Sequence, residues 1–301
     1  MRAGESVEVL LERRKEGFLL RFTPAMLRFA RTKPLGFFGA IILAVALITG
    51  VFAPQLARQG NNKPDLAHKL EGPSARYWLG TDHLGRDFYS RIVWGARISI
   101  IVSYSVITLS TLLSLSIGAV AWFVGGKYDL IILRFVDAWL SFPTLIITLT
   151  MVAVFGQSML TIIAVLSVAY GINQSRIMRS AVLAIKSNQY MEAARAIGAS
   201  PTRIFAFYVL PNIFPVVIIL ASVALGGVIL AEASLSFLGF GVPPPQPTWG
   251  GLLTGTAVTY MTDNIWLAIW PGVALSLVVY SANMLGDALR DVLDPRLRGS
   301  K

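Results

Sequence analysis

Three ionisable side chains interrupt long apolar runs of this 301-residue sequence: Arg134, Asp137 and Glu232. A charge surrounded by hydrocarbon is costly, so such residues usually face a cavity or a partner. Arg134 and Asp137 are three residues apart and can pair along one helix face. Arg134 also lies near the start of its run, where a long side chain can reach back to water. Glu232 stands alone in Gly226-Gly227-Val228-Ile229-Leu230-Ala231-Glu232-Ala233-Ser234. Asp137, Glu232 and Ser234 are therefore the candidates for a translocation path or a subunit interface.

Enzyme chemistry finds no support elsewhere. A phosphate-binding loop needs G-x-x-x-x-G-K-[ST], so that backbone N–H groups and a lysine surround phosphate. At Gly126-Lys127, Ala121 stands where the first glycine should be and Tyr128 replaces Ser/Thr. His68 and His83 lie outside any acid-rich cluster, which favours solvated loop histidines over a metal site. Serines lack a G-x-S-x-G turn or an accompanying His/Asp pair. The chain has no cysteine, hence no disulfide framework, thiolate metal site or cysteine nucleophile. No catalytic residue and no metal ligand is expected.

Composition explains where these residues must sit. The chain is 55% hydrophobic and 14% charged, with a mean hydropathy of +0.65. Soluble domains carry about 25% charged residues, and disordered segments are poor in apolar ones. The surrounding solvent is lipid, and the expected fold is an all-α membrane protein. Spanning the bilayer core takes about 20 apolar residues. Six runs qualify as transmembrane helices: Leu35–Ala53, Ile98–Val124, about 130–155 with Pro143 inside, about 159–171, about 213–240 and 265–285. Pro143 and the Gly226-Gly227 pair can bend their helices, although ordinary packing is the expected role of each glycine. The first 34 residues carry both signs of charge, and no small-residue cleavage site follows the first apolar run, so no cleaved signal peptide is expected.

Net charge is +10, from 26 Lys+Arg against 16 Asp+Glu. No aromatic-and-basic pattern of a nucleic-acid reader accompanies it. In a membrane protein the excess marks cytoplasmic loops. With both termini inside, 18 basic residues fall on the cytoplasmic side and seven in the first outer loop. The resulting organisation is a cytoplasmic tail 1–34, a first transmembrane helix 35–53 and an extracytoplasmic loop 54–97. A transmembrane domain 98–287 follows, enclosing an inner loop 172–212, and a cytoplasmic tail 288–301 closes the chain. Within the inner loop, Met178, Val182 and Ile185 recur at helical spacing. Gly198 is placed as a helix stop, Ser200 as an N-cap and Pro201 as a first helical residue, with Pro211 limiting the next helix.

In that loop, Glu192-Ala193-Ala194, Gly198 and Leu210-Pro211 resemble the EAA motif of type I ABC-transporter permeases, although Tyr208 stands where the family's pattern usually has an aliphatic residue. Further segments resemble one subfamily, the second permease subunit of dipeptide/oligopeptide importers. They are Trp78-Leu79-Gly80-Thr81-Asp82-His83-Leu84-Gly85-Arg86-Asp87, Ser90-Arg91 with Gly95-Ala96-Arg97-Ile98-Ser99, Glu232 to Gly239 with Trp249-Gly250, and Gly286-Asp287 through Asp294-Pro295-Arg296-Leu297-Arg298. Together they extend from about residue 31 to the end.

The resemblance implies the type I ABC importer permease fold in a prokaryotic plasma (inner) membrane. It implies a homologous permease as heterodimer partner, two cytoplasmic ATPase subunits and an extracytoplasmic solute-binding protein. ATP and Mg would be bound by the ATPases, leaving no cofactor in this chain. The residues implied for ATPase coupling are Glu192, Ala193, Ala194, Gly198, Ser200, Pro201, Arg203, Leu210 and Pro211. Imported peptides are the implied cargo. Nickel, glutathione or another small solute on the same machinery is the alternative. A secondary transporter working alone would show repeated halves, and none is evident between 35–171 and 213–285.

Overall fold

The structure, a computed structural model, describes residues 26–60, 62–123, 125–186, 188–254, 256–260, 262 and 264–293. The sequence motif 294–298 and most of the N-terminal tail lie outside the described residues. The main helices are α1 (Pro34–Val51), α2 (Phe88–Phe123), α3 (Gly126–Leu140), α4 (Thr144–Phe155), α5 (Met159–Lys186), α6 (Gln189–Ala196), α7 (Pro201–Phe237), α8 (Trp249–Leu252) and α9 (Trp266–Leu293). Five of them, α1, α2, α5, α7 and α9, are long and apolar enough to cross a membrane; α3 and α4 add a sixth span if the bent pair is counted as one.

Between helices in lipid there is no hydrophobic driving force, so close packing of small residues does the work. In α1 the buried residues are Gly36, Gly39, Leu43, Ala46 and Gly50, a seam with alternating steps of three and four. A Cβ at Gly39 would stand 2.6 Å from the Ser281 carbonyl of α9, so this crossing requires glycine. The α2–α5 contact buries Val102 and Val106 against Ile162, Ile163 and Leu166. Gly226 does not break α7; it faces Asn283 of α9.

Several expected boundaries are corrected. The third span is not one helix: α3 and α4 meet at 91°. Pro143 has no N–H to donate and pushes Phe142 out of helical geometry, and the chain turns there. The fourth span does not end at residue 171 but continues as α5 to Lys186, 28 residues and about 42 Å long. The helical spacing of Met178, Val182 and Ile185 is found as the last turns of this same helix, which outruns its apolar stretch. The second span begins at Phe88, so the last ten residues assigned to the outer loop are helical. Pro211 does not limit a helix either. A π turn at Phe205–Val209, with Leu210 N–H reaching back to the Phe205 carbonyl, carries α7 through it.

Chain direction places residues 54–87 and 239–265 at one end of the bundle and residues 188–204 at the other. The segment 54–87 is folded around Asp82. Its Oδ1 accepts from Leu84 N–H at 2.9 Å and Arg86 N–H at 3.1 Å, and its Oδ2 accepts from Arg86 Nε at 2.7 Å. Thr81 donates to the His68 carbonyl and accepts from Glu71 N–H. The Gly80–Asp87 motif is therefore an internally bonded turn.

A hydrogen bond from the His68 ring, 2.8 Å away, holds the Asp65 carboxyl below the usual carboxylate range. A lowered folded pKa gives stability that is complete above the ordinary value and lost as pH falls through the folded one. Acid titration followed by thermal unfolding should show the wild type losing stability only below about pH 4. Asp65→Asn should lack that step and start from a lower midpoint at neutral pH.

Candidate functional site

At the 188–204 end the chain makes a compact helix–turn–helix. Met191 and Ala194 point inward from α6 and join Trp122, Met178, Val182, Ile204, Val209 and Ile213 in one apolar cluster. Glu192 and Ala193 point outward and are exposed. This division follows from helical spacing, since 191 and 194 share a face that 192 and 193 do not.

The turn has both ends chemically defined. Gly198 has φ +80°, a region costly for residues with Cβ. Its N–H bonds to the Arg195 carbonyl at 2.9 Å, and Ala199 N–H bonds to the Ala194 carbonyl at 3.1 Å. That pair is the Schellman arrangement, which satisfies the last carbonyls of α6. Ser200 then accepts from Arg203 N–H at 3.4 Å with Pro201 in the first turn of α7. Ile197, at the tip, is 79% exposed. Arg203 and Pro211 are exposed, while Leu210 is half-buried beside Tyr208 against the apolar cluster.

Residues that sequence reasoning passed over hold this turn to the bundle. Trp122, at the end of α2, has Lys186 Nζ 5.4 Å and the Arg195 guanidinium 5.8 Å from its ring. Cations over an aromatic face are attracted to its negative quadrupole. Asp129 of α3 accepts from Arg179 Nε at 2.7 Å and from the same guanidinium's Nη2. Asp137 pairs with Arg176, not with Arg134. Two ion pairs thus fasten α3 along α5, the helix that leads into the turn. Matching acids at 129 and 137 to bases at 179 and 176 needs the fold of the hairpin, so spacing alone does not reveal it.

Glu232 is internal to the chain, with 0% exposure. Ser99 Oγ of α2 donates to its Oε2 at 3.1 Å, and Ser236 Oγ donates to its Oε1 at 2.8 Å. Thr248 Oγ1 donates to Ser236 Oγ at 3.1 Å, and Trp249 N–H lies 3.4 Å from Ser99 Oγ. The carboxyl group therefore ties α2, α7 and α8 together in the interior of the bundle. Ser234 is half-buried, bonded to the Leu230 carbonyl of its own helix. It lines an open cavity of about 330 Å³ with Leu145, Phe237 and Leu275.

Among the described residues, no group of three or more His, Asp or Glu is placed to hold a metal ion. The geometry offers an exposed, rigid turn at one end and a fully internal polar tie at the other.

Comparison with known proteins gives a consistent set of relatives. A family profile described as "Binding-protein-dependent transport system inner membrane component" matches residues 110–299. The oligopeptide transport system permease protein OppC of Bacillus subtilis is 33% identical over 91% of this chain and 89% of its own length. The dipeptide transport system permease protein DppC of Alkalihalophilus pseudofirmus is 33% identical over 88% of this chain and 86% of its own. The glutathione transport system permease protein GsiD of Pectobacterium atrosepticum is 34% identical over 87% and 86%. Among solved structures, an inward-facing MetNI methionine ABC transporter chain superposes with a TM-score of 0.56 at 19% identity, covering 68% of this chain and 96% of that one. The last likeness shows the fold.

Removing the carboxyl group should strand two hydroxyl groups, those of Ser99 and Ser236, in the interior, each unmet bond costing about 1–3 kcal/mol. Glu232→Ala should therefore lower the thermal midpoint of the detergent-solubilised chain clearly. Glu232→Gln, which retains an acceptor oxygen, should lower it less. Equal midpoints for both variants and wild type would exclude the internal tie.

Proposed function

The chain belongs to the family of binding-protein-dependent transport system inner membrane components, and from that membership we propose that it works in a peptide importer whose chemical energy is supplied elsewhere. Its permease role is that of the family. Di- or oligopeptide cargo is supported by the names of relatives across most of both chains. The glutathione permease relative favours a second reading, a small γ-linked peptide on the same machinery.

The proposed assembly has this chain beside a homologous permease, two cytoplasmic ATPase subunits carrying ATP and Mg, and an extracytoplasmic binding protein. The sequence lacks the phosphate-binding loop pattern, so in this proposal the chain receives that energy mechanically. The exposed turn between α6 and α7 is the observation that carries the coupling assignment. It combines a rigid backbone, an outward carboxylate at Glu192 and an exposed apolar tip at Ile197. Such a shape can enter a groove on a soluble partner, with Glu192 meeting a basic group. Ala193 contributes a small outward surface, and Ser200, Pro201 and Arg203 begin the helix that receives the push. Leu210 and Pro211 lie just past the π turn on the same helix.

Glu192→Lys reverses a charge at that contact, and loss of an interfacial pair costs roughly 2–5 kcal/mol. Gly198→Trp places a bulky Cβ-bearing residue at positive φ in the tip. Space around Gly198 is open, so the chain itself should still fold. Both variants should reach the membrane at wild-type levels yet co-purify with less ATPase, or keep it while losing uptake in vesicles. Wild-type co-purification and uptake in both would remove the coupling assignment.

Orientation is proposed with both termini in the cytoplasm, on the distribution of basic residues. Because the sequence has no cysteine, single introduced cysteines report sidedness cleanly. Ser200→Cys should react with an impermeant thiol reagent only from the cytoplasmic side, and the exposed Gln246→Cys only from outside. The opposite pattern would invert the topology and separate the turn from any cytoplasmic partner.

A further inference from the structure

At the end of the bundle opposite the turn, a partly enclosed cavity of about 50 Å³ lies between the folded segment 82–91 and the start of the loop after α8. Asp82, His83, Arg86, Arg91 and Thr254 supply its polar lining, with Phe88, Leu252 and Leu267 forming apolar walls. A single water needs roughly 10–15 Å³, so the space admits a larger guest.

The polar groups around it do not satisfy one another. Arg86 is engaged at two nitrogens: Nε bonds to Asp82 Oδ2 and Nη1 to Asn62 Oδ1. Arg91 is not. Only 9% of it is exposed, yet Nη1 has no hydrogen-bond partner, and Nε stands 3.5 Å from Asp82 Oδ2 without forming a hydrogen bond. His83 Nδ1 is likewise buried and unpartnered. Burial pushes the His83 imidazole down from its ordinary value, so it enters as a neutral ring that can donate one N–H. The lining thus holds two guanidinium groups against one carboxylate. Asp87 is near in sequence but does not line the cavity; its Oδ2 accepts from Ser90 N–H and Oγ, while its Oδ1 is buried without a partner.

A buried guanidinium with free donors and a half-share of one carboxylate is an expensive arrangement unless a counter-charge completes it. We propose that this cavity binds one small anion, of halide to formate size, held by Arg91 Nη1–H and His83 Nδ1–H. The anion would tie residues 82–91 to residues 251–254. Both stretches already converge on the Glu232 tie through α2 and α8, so the site would fix the joint between the folded outer segment and the helical bundle. Large organic anions are excluded by volume.

The test is thermal unfolding of the full-length, detergent-solubilised chain during a chloride titration at constant ionic strength, with gluconate as the replaced anion. Binding to the folded state alone raises the midpoint in proportion to ln(1 + [L]/Kd). The expected result is a saturable rise of about 2–4 °C, reproduced by formate. It should be absent in Arg91→Gln, and also in Thr254→Leu, which fills the cavity while leaving both arginines in place. Thr254→Leu decides the matter if Arg91→Gln does not fold. A wild-type midpoint independent of chloride would mean that water alone occupies the cavity and overturn the proposal. A rise that persists in Thr254→Leu would place the anion elsewhere and overturn it equally.

Discussion

Lipid offers no hydrogen bonds, so every polar group carried into the apolar layer has to find its partner within the chain. That requirement organises this fold more than hydrophobic burial does, because apolar side chains gain little by leaving lipid for one another. Glu232 shows the consequence most sharply. A carboxyl group with no exposure persists because Ser99, Ser236 and, through Ser236, Thr248 meet its oxygens. Those partners come from two spanning helices and the short helix α8, so satisfying one group fixes three elements. Two serines of α2 follow the same logic. Ser110 and Ser114 donate to their own helix carbonyls and leave small surfaces against which other helices pack.

The opposite end of the bundle answers to water instead, and its polar groups are arranged for presentation. The turn from α6 to α7 spends its apolar residues on one side, where Met191 and Ala194 meet Trp122 and Ile204, and shows Glu192 and Ile197 on the other. Lys186 and Arg195 at the Trp122 ring, with the two ion pairs between α3 and α5, hold the turn's base.

Local chemistry made the turn legible in the sequence. Gly198, Ser200 and Pro201 each act through their own backbone, and each is found in its expected role. The bend at Pro143 was legible for the same reason, although its 91° depends on where α3 is pinned. Readings failed where the outcome depended on distant partners. Ser99 is 133 residues from Glu232, and Asp137 is 39 from Arg176, so neither pairing leaves a trace in local spacing. The continuation of α5 past residue 171 was hidden differently. Hydropathy reports where the lipid stops, and a helix that projects into water keeps its hydrogen bonds after its apolar character has ended.

The π turn at Phe205–Val209 sets the rotational phase of α7. One residue of an α-helix corresponds to about 100° of rotation. Were the turn to relax into ordinary α geometry, everything beyond it would be advanced by about that angle relative to the residues before it. Glu232 would then swing away from Ser99, and Ser236 from Thr248. The register defect near one end of the helix and the buried carboxylate near the other consequently specify a single azimuth between them. Neither can change its geometry without a compensating twist in the 22 residues from Leu210 to Ala231 that join them.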